Sequence, residues 1–104
     1  MPRIPPHPGE LRKRIAELAT AGAVSFSAHA FDERSPERGI DINDAIRVLR
    51  IGEIEGEIAP GANAGEWKCK MVAKAENSSR RIGVVTVVVR LQRLLIATVE
   101  WEDR

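Results

Sequence analysis

Cysteine, histidine and long apolar runs are scarce in this sequence, and each scarcity excludes a class of protein. The 104 residues include one cysteine, Cys69, which excludes an internal disulfide and indicates a reducing compartment. The two histidines, His7 and His29, lie far apart, which argues against a structural zinc site. The most apolar stretch, residues 82–91, is too short to cross a bilayer, and residues 1–10 lack the apolar run of a signal peptide. We therefore expect a cytoplasmic protein without a membrane segment.

The charges are distributed unevenly, although the net charge of +1 gives no general sign of nucleic-acid binding. Residues 53–66 contain four acidic residues and no basic one, whereas residues 67–93 contain seven basic residues and one acidic residue. This asymmetry indicates either an anionic ligand on the basic side or charge pairing between neighbouring strands of a sheet. Both interpretations stay open on the sequence alone.

The first half of the chain has the apolar spacing of helices. Residues 1–8 are rich in proline and indicate a flexible arm, followed by a single domain over residues 9–104. The spacing predicts a helix from about residue 9 to the region of Gly22, and a second helix capped by Ser27. A third helix is predicted over residues 41–52, with a capping box at its start. A short extended piece, residues 23–26, separates the first two.

The second half of the chain has the patterns of strands. Four such segments are predicted, over residues 53–59, 66–75, 81–91 and 93–101. The third of these is almost continuously apolar, as expected for a central strand that is buried on both faces. The order of elements predicts an α+β fold, in which N-terminal helices pack on a three- to four-stranded antiparallel sheet.

One predicted strand, "EWKCKMVAKA", raises the question of ligand binding. Its lysines, Lys68, Lys70 and Lys74, alternate with apolar residues and therefore share one face. That face is either simply solvated or a track for the backbone of an RNA, with electrostatic and weakly sequence-specific contacts. The candidate RNA-binding residues are Lys70, Lys74, Arg80, Arg81 and Arg90.

Several segments carry a resemblance to a known family. The pieces "ELRKRIAELATAGAVSFSAHA", "EWKCKM" and "VVTVVVRLQRLLIATVEWED" resemble the MqsR-type toxins of bacterial toxin–antitoxin pairs. The piece "SAHAFDERSPERGID" is more similar to a related bacterial family with a Ser-x-His-Ala pair followed by Arg-x-x-x-Arg-Gly-Ile. The residues that match this pattern are Ser27, His29, Ala30, Arg34, Arg38, Gly39 and Ile40. The resemblance implies a RelE-like fold, cleavage of messenger RNA and an antitoxin protein as partner.

The sequence also departs from these patterns. Lys68 stands where MqsR-type toxins have a glutamine, Val85 where they have a tyrosine, and Glu100 where they have a lysine. In the related family the first arginine lies one residue earlier, at the position that Glu33 holds here. The catalytic set of MqsR-type toxins is therefore not preserved.

A different set of residues provides the groups that RNA cleavage requires. His29 is the natural proton carrier, since the pKa of histidine lies near neutrality. Arg34, Arg38 and Lys68 supply positive charge for the phosphorane, and the reaction needs no metal or other cofactor. The alternative for His29 is a surface pair with Glu33, four residues on.

These observations give two function hypotheses. The first is a toxin that acts as a metal-independent mRNA endoribonuclease, on the ribosome or on free RNA. The second is a non-catalytic module that binds RNA or an acidic protein. A homodimer through the edge strand at residues 53–59 is a further hypothesis, against which the three glutamates of that segment argue.

Overall fold

Two helices lie on one face of a five-stranded sheet in the computed structural model, which describes residues 4–28, 30 and 39–102. Neither of these two helices is long and apolar enough to span a membrane. The helices are α1, Pro8–Thr20, and α2, Ile42–Ile51. The strands are β1, Val24–Phe26; β2, Glu53–Pro60; β3, Glu66–Lys74; β4, Arg81–Val89; and β5, Arg93–Trp101.

The sheet is mixed, and its strand order is β1-β5-β4-β3-β2. Strands β2 to β5 pair antiparallel, as expected, but β1 adds to the outer edge of β5 in parallel, with Val24 opposite Leu94 and Phe26 opposite Ile96. The prediction of a three- to four-stranded antiparallel, RelE-like sheet is therefore wrong, whereas the α+β class holds. The extended piece joins the sheet because β5 offers unpaired backbone groups at its edge: the Leu94 amide donates to the Ala23 carbonyl, at 2.8 Å.

The helices begin and end at residues with clear local reasons. His7 caps α1, with its Nδ1 accepting from the Gly9 amide at 3.1 Å. The predicted capping box of α2 is confirmed, because Asp41 and Asp44 each accept the backbone amide of the other. Ser27 Oγ accepts from the Ala30 amide at 3.1 Å, as a helix cap does; the rest of that predicted helix lies outside the described residues.

The core lies between the two helices and the face of the sheet that they cover. Strand β4 is central, as predicted, and its core-facing residues are fully buried. Its other face is only half-buried at Val85, Val87 and Val89, because the described helices cover a single face. The prediction that β4 is buried on both faces is therefore correct for the core face only. We call the face away from the helices the outer face.

Candidate nucleic-acid interface

The lysines of β3 lie together on the outer face, as the alternation predicts. Strand pairing places Lys68 opposite Val87 and Lys70 opposite Val85. Cys69, on the other face, is buried in the core. This burial raises the pKa of the Cys69 thiol to about 11, so the thiol is not a nucleophile at neutral pH.

Lys70 is held by two carboxylates. Its Nζ lies 2.7 Å from Oε1 of Glu102 and 3.8 Å from Oε1 of Glu100. The hydrogen bond to Glu102 raises the pKa of Lys70 above its usual range. Gly83 makes room for this pair, since a Cβ there would collide with the Glu102 carboxylate and lie 3.1 Å from Cε of Lys70. The predicted role of Lys70 in RNA binding therefore competes with an existing ion pair.

Two arginines at the same end of the sheet are also engaged, Arg81 on the outer face and Arg80 beside Trp101, which packs against the core. Nη2 of Arg81 lies 3.0 Å from Oε2 of Glu55, on β2. The guanidinium carbon of Arg80 lies 3.9 Å from the ring centroid of Trp101. At this end of the sheet, contacts with neighbouring side chains therefore engage Lys70, Arg80 and Arg81.

The opposite end of the outer face holds basic residues that are not neutralised. The side chains of Lys68, Arg90 and Arg93 are exposed and form no ion pair within the described residues. Arg93 lies in one cross-strand row with Val89 and Glu66, and Lys68 is the next residue after Glu66 on this face. We call Lys68, Arg90 and Arg93 the basic end. Lys74 is also exposed and without an ion pair there, but it lies at the far end of β3.

The β4–β5 turn directs Arg90 to this end. Arg90 and Leu91 have φ values of 53° and 56°, and the Gln92 amide donates to the Val89 carbonyl at 2.9 Å. Two successive positive φ values closed by such a hydrogen bond are typical of a type I′ turn, in which Asn-Gly is common. The turn is held from both sides, since the Arg90 amide donates to the Gly65 carbonyl and Arg14 Nε donates to the Leu91 carbonyl, both at 2.8 Å.

Glu66 lies beside the basic end but is engaged with the neighbouring loop. Its Oε1 accepts from the Asn63 backbone amide and its Oε2 from the Asn63 side-chain amide, both at 3.1 Å. The loop before β3 is thereby closed against the strand. A hollow of about 450 Å³, lined in part by Arg90 and Arg93, lies between this loop and the β4–β5 turn.

The candidate catalytic residues are only partly covered by the structure. His29, Arg34 and Arg38 lie outside the described residues. Lys68 is exposed on the outer face, whereas Ala30 is buried in the core on the opposite side of the sheet. The described part of the chain therefore does not place a proton carrier beside Lys68.

The three positions that the resemblance to MqsR-type toxins would make catalytic lie on one face. Lys68, Val85 and Glu100 all lie on the outer face, because Val85 pairs with Lys70 and Glu100 pairs with Gly83. The types of residue found there still differ from those of the toxins.

Several residues of this surface were not predicted from the sequence. Arg93 begins β5, and the face of the sheet on which its side chain lies depends on the preceding turn. Glu102 follows the last strand, and Gly83 was a usable signal because glycine in a central strand often marks a close approach.

Comparison of the chain with protein-family models, curated proteins and solved structures gave no significant match.

Proposed function

We propose that this protein binds single-stranded RNA in the cytoplasm through the basic end of its sheet. The observation that carries the proposal is the separation of charges on the outer face. Lys70 and Arg81 are engaged with neighbouring carboxylates, whereas the three cations of the basic end have no ion pair in the described ranges. Unneutralised cations that converge on one surface attract phosphate groups.

RNA is the favoured nucleic acid for two reasons. The resemblance is to toxins that act on messenger RNA. In addition, the basic end is small and lies beside half-buried valines, which suits a single strand whose bases are accessible better than a duplex.

The first test is the affinity for a fluorescent single-stranded RNA, measured by anisotropy. Lys68→Ala should weaken binding several-fold, because it removes one phosphate contact. Lys74→Ala is the matched control, since it removes an exposed lysine from the same strand and face but at the other end. An equal effect of both substitutions would refute the assignment of binding to the basic end.

The second candidate function is the toxin activity, metal-independent cleavage of messenger RNA. The specific observation in its favour is the common face of Lys68, Val85 and Glu100, the positions that the resemblance makes catalytic. In this reaction His29 would take the proton of the 2′-hydroxyl, and Lys68, with Arg34 and Arg38, would stabilise the phosphorane. The bond from the 2′-oxygen to phosphorus would form as the bond to the 5′-oxygen breaks, and water would give a proton to that leaving oxygen. The valine and the glutamate at two of the three positions favour RNA binding without cleavage.

Incubation of a mixed-sequence RNA with the purified protein and EDTA separates the two functions. Products that end in 2′,3′-cyclic phosphate would establish the ribonuclease, and His29→Ala and Lys68→Ala should then abolish cleavage. RNA that stays intact, both as free strands and on translating ribosomes, would exclude cleavage and leave RNA binding as the remaining one of the two functions.

A toxin role would also require an antitoxin, as the resemblance implies. Expression of the chain alone should then arrest growth, and co-expression of the neighbouring gene product should relieve the arrest. The homodimer through β2 is a weaker proposal, since Glu55 is paired with Arg81 and the pairing register of β2 is interrupted between Glu55 and Ala59.

A further inference from the structure

We infer that the basic end accommodates one complete nucleotide, with its phosphate in one hollow and its base in a second, adjoining hollow. The inference rests on the proposed RNA binding and adds that the protein contacts a base as well as the backbone. It is drawn from the groups that line the two hollows and from the row of residues that they share.

The phosphate hollow, of about 450 Å³, lies between residues 61–65 and the β4–β5 turn. Its lining is mostly polar and includes the side chains of Arg90, Arg93 and Gln92, with the Glu66 carboxylate bound to Asn63 at its loop side. Neither arginine has an ion-pair partner among the residues described. Two planar guanidinium groups suit a phosphodiester, because each can donate two parallel hydrogen bonds to phosphate oxygens.

The base hollow, of about 190 Å³, lies on the β1 side of the same row. Its lining is mostly apolar and includes Val89, Leu94 and Leu95, with Ser25 of the edge strand at its border. Cavities of about 150 Å³ hold a benzene ring. This hollow therefore has the size and the character for the flat face of one nucleobase.

The two hollows share Glu66, Val89 and Arg93, which form one row across β3, β4 and β5. Neighbouring strands lie about 4.8 Å apart, so a single nucleotide can contact the whole row. Arg93 borders both hollows, whereas Arg90 borders the phosphate hollow and Leu95 borders the base hollow. The nucleotide is therefore oriented with its phosphate towards Arg90 and its base towards Leu95.

The test compares a fluorescent RNA oligomer with an abasic ribose-phosphate oligomer of the same length and charge, by anisotropy. We expect the RNA to bind about tenfold more tightly, because a buried base adds to the contacts of the phosphates. Leu95→Thr should reduce the ratio of the affinity for RNA to the affinity for the abasic oligomer to about two or three. The affinity for the abasic oligomer itself should stay unchanged. Val89→Thr, a nearly isosteric change in the shared row, should also lower the ratio. It replaces Leu95→Thr in the test if that variant does not fold.

The outcomes separate this inference from the proposed function. Equal affinity of the wild-type protein for the two oligomers would overturn the inference and leave backbone binding intact. Binding of neither oligomer would overturn both. Lys74→Ala is the control and should leave the ratio unchanged; a ratio that falls equally in Lys74→Ala and Leu95→Thr would also refute the base hollow.

Discussion

Lys70 differs from the other lysines of its strand because Glu102 and Glu100 hold it over the sheet. The side chain of Glu102 is 14% exposed, so this pair is better shielded from water than the other ion pairs of the described residues. An ion pair of this kind stabilises the fold modestly and fixes the end of β5 against β3.

This ion pair predicts a pH dependence of stability at alkaline pH. The pKa of Lys70 is raised above its usual value of 10.5 by the hydrogen bond to Glu102. The associated stabilisation is therefore fully present below pH 10.5 and is lost as the pH rises through the higher folded value. Glu102→Gln should lower the free energy of unfolding by about 1 kcal/mol at pH 7, measured by urea denaturation.

The difference in the free energy of unfolding between Glu102→Gln and the wild-type protein should shrink above the folded pKa of Lys70. Glu57→Gln is the control, because Glu57 is exposed and has no ion pair in the described ranges. A difference that stays constant through the alkaline range would contradict the role of the ion pair.

Gly83 and Glu102 should be coupled energetically. A methyl group at position 83 would displace the Glu102 carboxylate, so Gly83→Ala removes the ion pair with Lys70 in another way. We expect Glu102→Gln to cost about 1 kcal/mol in the wild-type background and close to nothing in the Gly83→Ala background. A double-mutant cycle by denaturation measures this, and additive effects would contradict it.

At the scale of elements, the β4–β5 turn uses residues that are poorly suited to its backbone. Positive φ values at Arg90 and Leu91 cost roughly 1–2 kcal/mol at each residue relative to glycine. The hydrogen bonds from Arg14 and to Gly65 offset part of this cost. Such strain is often retained at functional positions, and here it directs an arginine into the basic end.

Leu91→Gly should therefore stabilise the protein. Its side chain is 44% exposed, so little packing is lost, while the strain at φ 56° is relieved. We expect a gain of about 1 kcal/mol in the free energy of unfolding, with RNA affinity unchanged because Arg90 remains. Arg90→Asn in combination with Leu91→Gly should be stable as well but bind RNA more weakly. Destabilisation by Leu91→Gly would show that the leucine packs more than its exposure suggests.

Most elements could be predicted from periodicity, but the edge of the sheet could not. The helices α1 and α2 and the strands β2 to β5 have patterns long enough to show a period. Strand β1 has three residues, too few for a pattern, and its partner β5 is far away along the chain.

The candidate site was predictable only in part, for a related reason. Alternation places the lysines of β3 on one face, but which of them are neutralised depends on strand register. Lys70 meets Glu100 and Glu102 only because β4 and β5 bring them together across Gly83.

At the scale of the whole molecule, the outer face is divided into a paired end and a basic end. The paired end contains the ion pairs of Lys70 and Arg81 and one lysine without an ion pair in the described residues, Lys74, whereas none of the three cations of the basic end has such a pair. This division explains how a chain with a net charge of +1 can present a local cluster of cations.

The salt dependence of RNA binding tests this division. Each phosphate contact to a single strand contributes about 0.7 to the slope of log affinity against log salt concentration. Three contacts, at Lys68, Arg90 and Arg93, predict a slope of about −2 for the wild-type protein. Lys68→Ala and Arg93→Ala should each bring the slope to about −1.4, because each removes one contact. Lys74→Ala should leave it at about −2, and an equal change in all three variants would mean that the phosphates follow the whole lysine face instead of its basic end.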